Sequence, residues 1–216
     1  MLERFTWLKN AAYRWDGDGL TVYIDPWGVG DDAPKADVIF ITHGHYDHYS
    51  PEDIERVRTP ETQLVAPRDT ANELSGNVQA VTAGDTIEAG GIKVQAVPAY
   101  NVAEDRLDKH PKANGWVGYI LQLGDTSYYH AGDTDHVPEL ESVPADVAFL
   151  PVGGTYTMDV SEAAGLVRAM SPQLAVPMHY GFVAGTPADG DRFKEEAAPV
   201  SVEVLTPVVP FPAELE

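Results

Sequence analysis

Cysteine is absent from this 216-residue sequence, basic residues are scarce and long apolar runs are missing. Without cysteine there can be no disulfide, and any metal must be held by histidine and carboxylate, which favours zinc, manganese or iron. No segment approaches the roughly 18 unbroken apolar residues of a membrane span. The start, MLERFTWLKN, lacks a charged region followed by an apolar one, so the chain reads as cytoplasmic. Fourteen Lys and Arg stand against 34 Asp and Glu, a formal net charge of −20. The acids are spread in singles and pairs, which describes a solvated acidic surface, in either an acidic mesophilic protein or one from a salt-loving source. Such a surface repels nucleic acid at low salt, although at molar salt the Debye length falls to about 3 Å and the repulsion is screened.

What is present fits an ordinary globular chain: 44% hydrophobic and 9% aromatic residues, at a length that can bury a sizeable core in one domain. FTWLKN, AAYRWDGDGLTVYIDP and ADVIFIT read as strands, and the unbroken apolar run Val38–Ile41 is expected of a strand buried on both faces. TQLVAP and DTANELSG predict a strand and a helix, and the stretches from QAVTAG to TSYYHAGDT predict hairpin-like strands, with two of the three Gly-Asp-Thr triplets as hairpin turns. DVAFLPVGG, LAVPMHYG and SVEVLTPV read as later strands, with a helix opened by a capping box at Asp159 and Glu162 and a short helix near DRFKEEA. The polar loop from Asn101 to Gly115 is long enough to call for a functional explanation.

The chemistry is concentrated in ITHGHYDHYSPEDI, which places His43, His45, Asp47 and His48 within six positions. His43 and His45 are two apart in an extended turn and so point the same way, while Asp47 and His48 fall at the entrance of a helix with Ser50 as N-cap and Pro51 at its first position. A loop between a buried strand and a helix is where open α/β sheets commonly place their chemistry. A solvated histidine-rich turn is the alternative reading, and a metal site is the favoured one.

The H-x-H-x-D-H string resembles the signature of the metallo-β-lactamase superfamily. That resemblance implies an α/β fold, a four-layer αββα sandwich in one domain over residues 1–216, with one or two metals between the sheets. It also implies that Asp25 in TVYIDP supports the ligand loop from behind, that His43, His45 and His110 hold one ion, that Asp47, His48 and His179 hold another, and that Asp133 bridges them. His110 enters as the lone histidine between residues 49 and 129, and His130 and His136 are left with structural roles or with supporting the ligands from behind. Zinc β-lactamases of the commonest type use a cysteine in the second site, and the diiron relatives a glutamate where this chain has His45, so neither activity is expected. HGHYDH, YHAGDTD, LPVGGTYTMD and PMHYG are similar to the compact branch that includes L-ascorbate-6-phosphate lactonase and related metal-dependent hydrolases. In that branch the GG-x-Y/F-T-M stretch lines the site, which makes Gly153, Gly154, Thr155 and Tyr156 candidates for substrate contacts or for a tight turn.

The expected activity is hydrolysis of a small ester, lactone or phosphodiester by two divalent ions, zinc first and manganese or iron as alternatives, with a bridging hydroxide as nucleophile. Asp47 and Asp133 would orient the nucleophile, and Tyr156 and Tyr180 would donate to the developing oxyanion. The alternatives are a nuclease or phosphodiesterase acting on nucleic acid and a non-catalytic metal-binding protein. Loops Trp27–Pro34, Asn101–Gly115 and Tyr180–Arg192 are the expected substrate contacts. Arg106, Lys109 and Lys112 in the middle loop point either to an anionic substrate or to balancing of Glu104, Asp105 and Asp108. Oligomeric state is left open.

Overall fold

Alternating burial along short strands builds two facing sheets in a computed structural model that describes residues 1–213. The first sheet runs β1 (Phe5–Lys9), β2 (Ala12–Gly17), β3 (Leu20–Ile24), β4 (Val38–Phe40), β5 (Gln63–Pro67) and β6 (Asn77–Val81), in that spatial order. Its first three strands are antiparallel neighbours, and β3 to β6 pair in parallel. The second sheet has the order β12 (Leu174–Met178), β11 (Val147–Pro151), β10 (Thr126–His130), β9 (Val117–Leu123), β8 (Ile92–Pro98), β7 (Thr86–Ala89). It is antiparallel from β7 to β10 and parallel from β10 to β12.

The period of two decides which core each side chain joins. Val38 and Phe40 enter the large core shared with Val94, Leu121 and Phe149 of the other sheet, whereas Ile39 and Ile41 pack outward with Ile54 and Val57. Those last two belong to α1 (Pro51–Val57), which with α2 (Arg68–Ala71) covers the outer face of the first sheet. On the second sheet α3 (Val160–Met170) contacts β11 and α4 (Asp189–Glu196) contacts β12. Four layers result, the αββα order that the resemblance implies.

The capping chemistry read from sequence operates here. The Ser50 side chain accepts from the Asp53 amide, and the Asp159–Glu162 capping box is complete. Asp18 and Gly19, both at positive φ, turn β2 into β3. Three expectations change. The DTANELSG helix shortens to α2, which begins earlier, at Arg68. One Gly-Asp-Thr triplet, not two, makes a hairpin: that at Gly124 turns β9 into β10, whereas that at Gly84 joins β6 to β7 of different sheets, and the next hairpin lies at Gly90 and Gly91. SVEVLTPV forms only a bridge between Val202 and Ala175; beyond Pro207 the chain crosses to β1, where the Val208 and Val209 amides donate to the Trp7 and Leu8 carbonyls. Pro207 and Pro210 supply no amide for a strand ladder. Among the described residues, no helix is long and apolar enough to cross a membrane.

Candidate metal centre

One end of the sandwich gathers the chain segments that leave β1, β3, β4, β8, β10 and β12, and with them Asn10, Asp25, the His43–His48 loop, Asn101, Asp133 and His179. Asn10, Asp25 and His179 each take positive φ, a costly conformation for residues with a Cβ that tends to collect at functional sites. Gly153 allows the closest approach: a Cβ there would collide with the His179 carbonyl. This accounts for the first glycine of LPVGG as a packing requirement.

Asp25 is the anchor of the histidine loop. It is fully buried, and its Oδ1 accepts from the Thr42 amide at 2.7 Å. Its Oδ2 accepts from the Thr42 hydroxyl at 2.6 Å and from His48 Nδ1 at 2.7 Å. Because Thr42 gives its one proton to Asp25, its oxygen accepts from His43 Nδ1, 3.0 Å away. Both imidazoles are thereby held at Nδ1 with Nε2 turned toward the interior, the orientation typical of metal-binding histidines.

The opposing groups come from elsewhere in the chain. His48 Nε2 lies 3.2 Å from Asp133 Oδ1 and 3.4 Å from Asp47 Oδ2. His179 Nε2 is 3.2 Å from Asp47 Oδ2 and 3.1 Å from Asp133 Oδ2, which is also 3.2 Å from His110 Nε2 and 3.9 Å from His43 Nε2. His45 presents Nδ1, 3.1 Å from His43 Nε2. Three sets of candidate donor atoms therefore lie within 4.8 Å of one another: His43, His45 and His110; His43, His48 and Asp133; Asp47, His48 and His179.

The donor set passes a test of fit for metal ions. His48 Nε2, His110 Nε2 and Asp133 Oδ1 are buried and have no hydrogen-bond partner, although Asp133 oxygens lie 3.2 Å from both nitrogens. Near but misaligned, they aim at common points rather than at each other, and unpaired burial of such groups is costly unless a cation is shared between them.

Electrostatics agree with that reading. Burial, reinforced by neighbouring imidazoles, holds His43 well below the usual histidine range, so it is neutral. For His179 burial acts downward, but Asp133 and Asp47 overcome it and push the ring up to about 9. Burial likewise opposes the charged forms of Asp47 and Asp133, yet the facing histidines hold both carboxyls far below the ordinary range.

Two supports were not read from the sequence. Asn10, fully buried after β1, donates from Nδ2 to Asp47 Oδ2 at 2.9 Å, and its carbonyl accepts from the His179 amide. Asn101 ties the start of the long loop to its end: its amide donates to the His110 carbonyl at 2.8 Å, and its Nδ2 donates to the Tyr156 carbonyl at 2.8 Å. Positive-φ tolerance at an Asn just past a strand was the available clue for Asn10. Trp116 packs against His43 and His45, each at 4.9 Å between ring centroids, and its indole N–H donates to Asp69.

A cavity of about 260 Å³ opens over the cluster, lined by His45, Asp47, His110, Asp133 and His179 on its floor and by Tyr46, Lys109, Tyr156 and Val183 on its walls. Tyr156 is where the sequence reading put it. Tyr180 is not: it is 1% exposed, packs on Trp7 and Phe211, and its hydroxyl lies against Gly190 of α4. The reversed backbone at His179 turns the next side chain away from the site, and Tyr180 becomes a packing residue. His130 is buried with Nε2 on the Ala11 carbonyl and Nδ1 accepting from Gly132, and His136 pairs with Glu141, structural contacts in both cases. Of the loop cations, Arg106 turns inward to Asp135 and Glu162, Lys112 reaches Tyr100 and Glu139, and Lys109 pairs with Asp108 at the cavity wall.

A histidine and aspartate cluster at the strand ends of an αββα sandwich defines a class, the metallo-β-lactamase-like proteins. The chain belongs to the metallo-β-lactamase superfamily: the profile of the beta-lactamase superfamily domain matches residues 4–179. Within it, the chain is 34% identical to a UPF0173 metal-dependent hydrolase of Methanopyrus kandleri over 219 residues, covering 93% of this chain and 94% of the relative. It is also 34% identical to a candidate metal-dependent hydrolase of Parabacteroides distasonis of known crystal structure, with a TM-score of 0.82 over 93% of this chain and 91% of that one. A candidate zinc-dependent hydrolase of the superfamily from Thermotoga maritima shares the fold at 22% identity, with a TM-score of 0.55 over 82% of this chain and 75% of that one. The protein is a metal-dependent hydrolase of this superfamily.

Proposed function

We propose that the protein is a dinuclear hydrolase of a small ester, lactone or phosphodiester, in which His43, His45 and His110 hold one ion, Asp47, His48 and His179 hold the other, and Asp133 serves both. The observation that carries this reading is the set of buried, unpartnered donor atoms converging between the two sheets. Zinc suits a centre of imidazoles and carboxylates without thiolate, and manganese and iron are the alternatives. When bound, such ions supply Lewis acidity and a water made acidic near neutral pH.

The chain's own groups do the positioning. Asp47, fixed by Asn10, and Asp133 accept hydrogen bonds on the cavity floor and orient the attacking water. Tyr156 on the wall donates to the oxygen that gains charge as the ester or phosphoryl centre is attacked. Lys109, whose side chain is 41% exposed, receives an anionic part of the substrate. The cavity volume fits a small molecule, with Tyr46, Tyr156 and Val183 flanking its body.

The test is a panel of small esters, lactones and phosphodiesters offered to zinc-, manganese- and iron-loaded protein, with short RNA in high salt beside them. Turnover of a small substrate that falls to background in Asp133→Ala supports the reading. RNA cleavage alone would favour the nuclease, and no hydrolysis with any metal would overturn the assignment to these substrate classes.

A further inference from the structure

Arg106 sits in the exposed-looking run EDRLDK, yet it is 7% exposed. Its Nε donates to Asp135 Oδ1 at 2.6 Å, and its Nη2 donates to both carboxylate oxygens of Glu162, at 2.8 and 2.7 Å. Asp135 in turn accepts the Val102 and Ala103 amides through Oδ2, at 2.7 and 2.9 Å, and its own amide donates to the Tyr100 carbonyl. The Arg106 carbonyl closes the knot by accepting from Asn101 Nδ2 at 3.0 Å and from the Lys109 amide at 3.0 Å. Glu162 is at the same time the capping-box residue of α3.

These contacts join three pieces of chain. The loop from Asn101 carries His110, the turn holding Asp135 carries Asp133 two residues earlier, and α3 provides a fixed post. No strand pairing holds His110 in place; it is tied to the strand-proximal end of the loop by Asn101, whose amide donates to its carbonyl and whose Nδ2 lies 3.2 Å from its Nδ1. We propose that Arg106 is a positioning residue for the metal ion at His110, because its fork locks the His110 loop to the Asp133 turn and to α3. The proposal rests on the two-metal reading above. A guanidinium suits the task because it donates in two directions from one plane, whereas an ammonium is a point charge. The other ion shares Asp133 with the first, but Asp47 and His48 are held by Asn10 and Asp25 and make no contact with Arg106.

The experiment counts zinc ions per chain by native mass spectrometry across a zinc titration of the full-length wild type, Arg106→Met and Glu162→Gln. Exchange of the Val102 and Ala103 amides in the metal-free proteins is measured alongside. Wild type is expected to take two zinc ions. Arg106→Met is expected to weaken one ion only slightly, through the shared Asp133, and to bind the other about 10- to 100-fold more weakly, with faster exchange of both amides. Glu162→Gln keeps the capping hydrogen bond while removing the charge facing Arg106, and is expected to weaken the same ion by a smaller factor; it decides the matter if the methionine variant does not fold. Filling of both sites at wild-type zinc concentrations, or equal weakening of both ions, overturns the proposal. Fewer than two zinc ions on wild type overturns the two-metal reading and this inference with it.

Discussion

Asp25 governs two imidazoles through one carboxylate, directly at His48 and by way of the Thr42 hydroxyl at His43. At this scale most of the candidate site was legible, because its donors lie in short strings: HGHYDH, YIDP, AGDTD and PMHYG. His110 was found by elimination, since it is the lone histidine between residues 49 and 129. Asn10, Asn101 and Asp135 were not legible, because Asn10 and Asp135 work through partners more than 30 residues away and Asn101 depends on how its loop folds back on itself. Tyr180 was misplaced because a sequence does not reveal that His179 reverses the backbone. The residue-scale prediction concerns protons. His179 is raised to about 9 by Asp133 and Asp47 and is charged at neutral pH in the metal-free protein, whereas a ligand must be neutral. Zinc binding should release protons below about pH 9 and tighten as pH rises toward that value, as calorimetry in buffers of different ionisation enthalpy will show. Binding that is independent of pH between 6.5 and 9 contradicts this assignment. Without metal the sign is opposite: the raised value stabilises the fold fully below 6.5, and that contribution is lost as pH rises through about 9.

Elements bring these residues together by ending at the same edge. The strands β3, β4 and β5 are parallel, as are β10, β11 and β12, so their carboxyl ends release the ligand loop, the Asp133 turn and His179 on one side. The buried run of β4 and the two capped helices were readable, since they follow from local pattern and local hydrogen bonding. The last segment was not, because whether it pairs or straps depends on what β12 leaves at its edge and on where the prolines fall. Gly153 is the critical contact between elements, where β11 leaves the sheet beside His179. Gly153→Ala should cost about 1–3 kcal/mol, as overpacking does in well-filled interiors, and displace His179. Thermal unfolding and zinc stoichiometry measured together will check it: a wild-type melting temperature with full zinc means that the backbone yields there.

The whole molecule joins a strongly negative surface to a site that needs cations. The net charge of −20 repels itself most when screening is weakest, with a Debye length of about 10 Å at 0.1 M salt and about 3 Å at 1 M. The melting temperature of the metal-free protein should therefore climb as potassium chloride is raised from 0.1 to 1 M, and a flat response would show that the acids are too dispersed to matter. Chelation acts at the same scale, since ions bound only by the folded chain stabilise it by mass action. The central claim is that two ions sit between the sheets at this cluster. Anomalous diffraction from crystals of zinc-saturated protein tests it most directly. The account predicts two peaks, one among His43, His45, His110 and Asp133 and one among Asp47, His48, His179 and Asp133. A single peak at full zinc occupancy, or peaks elsewhere with this cluster empty, would contradict it.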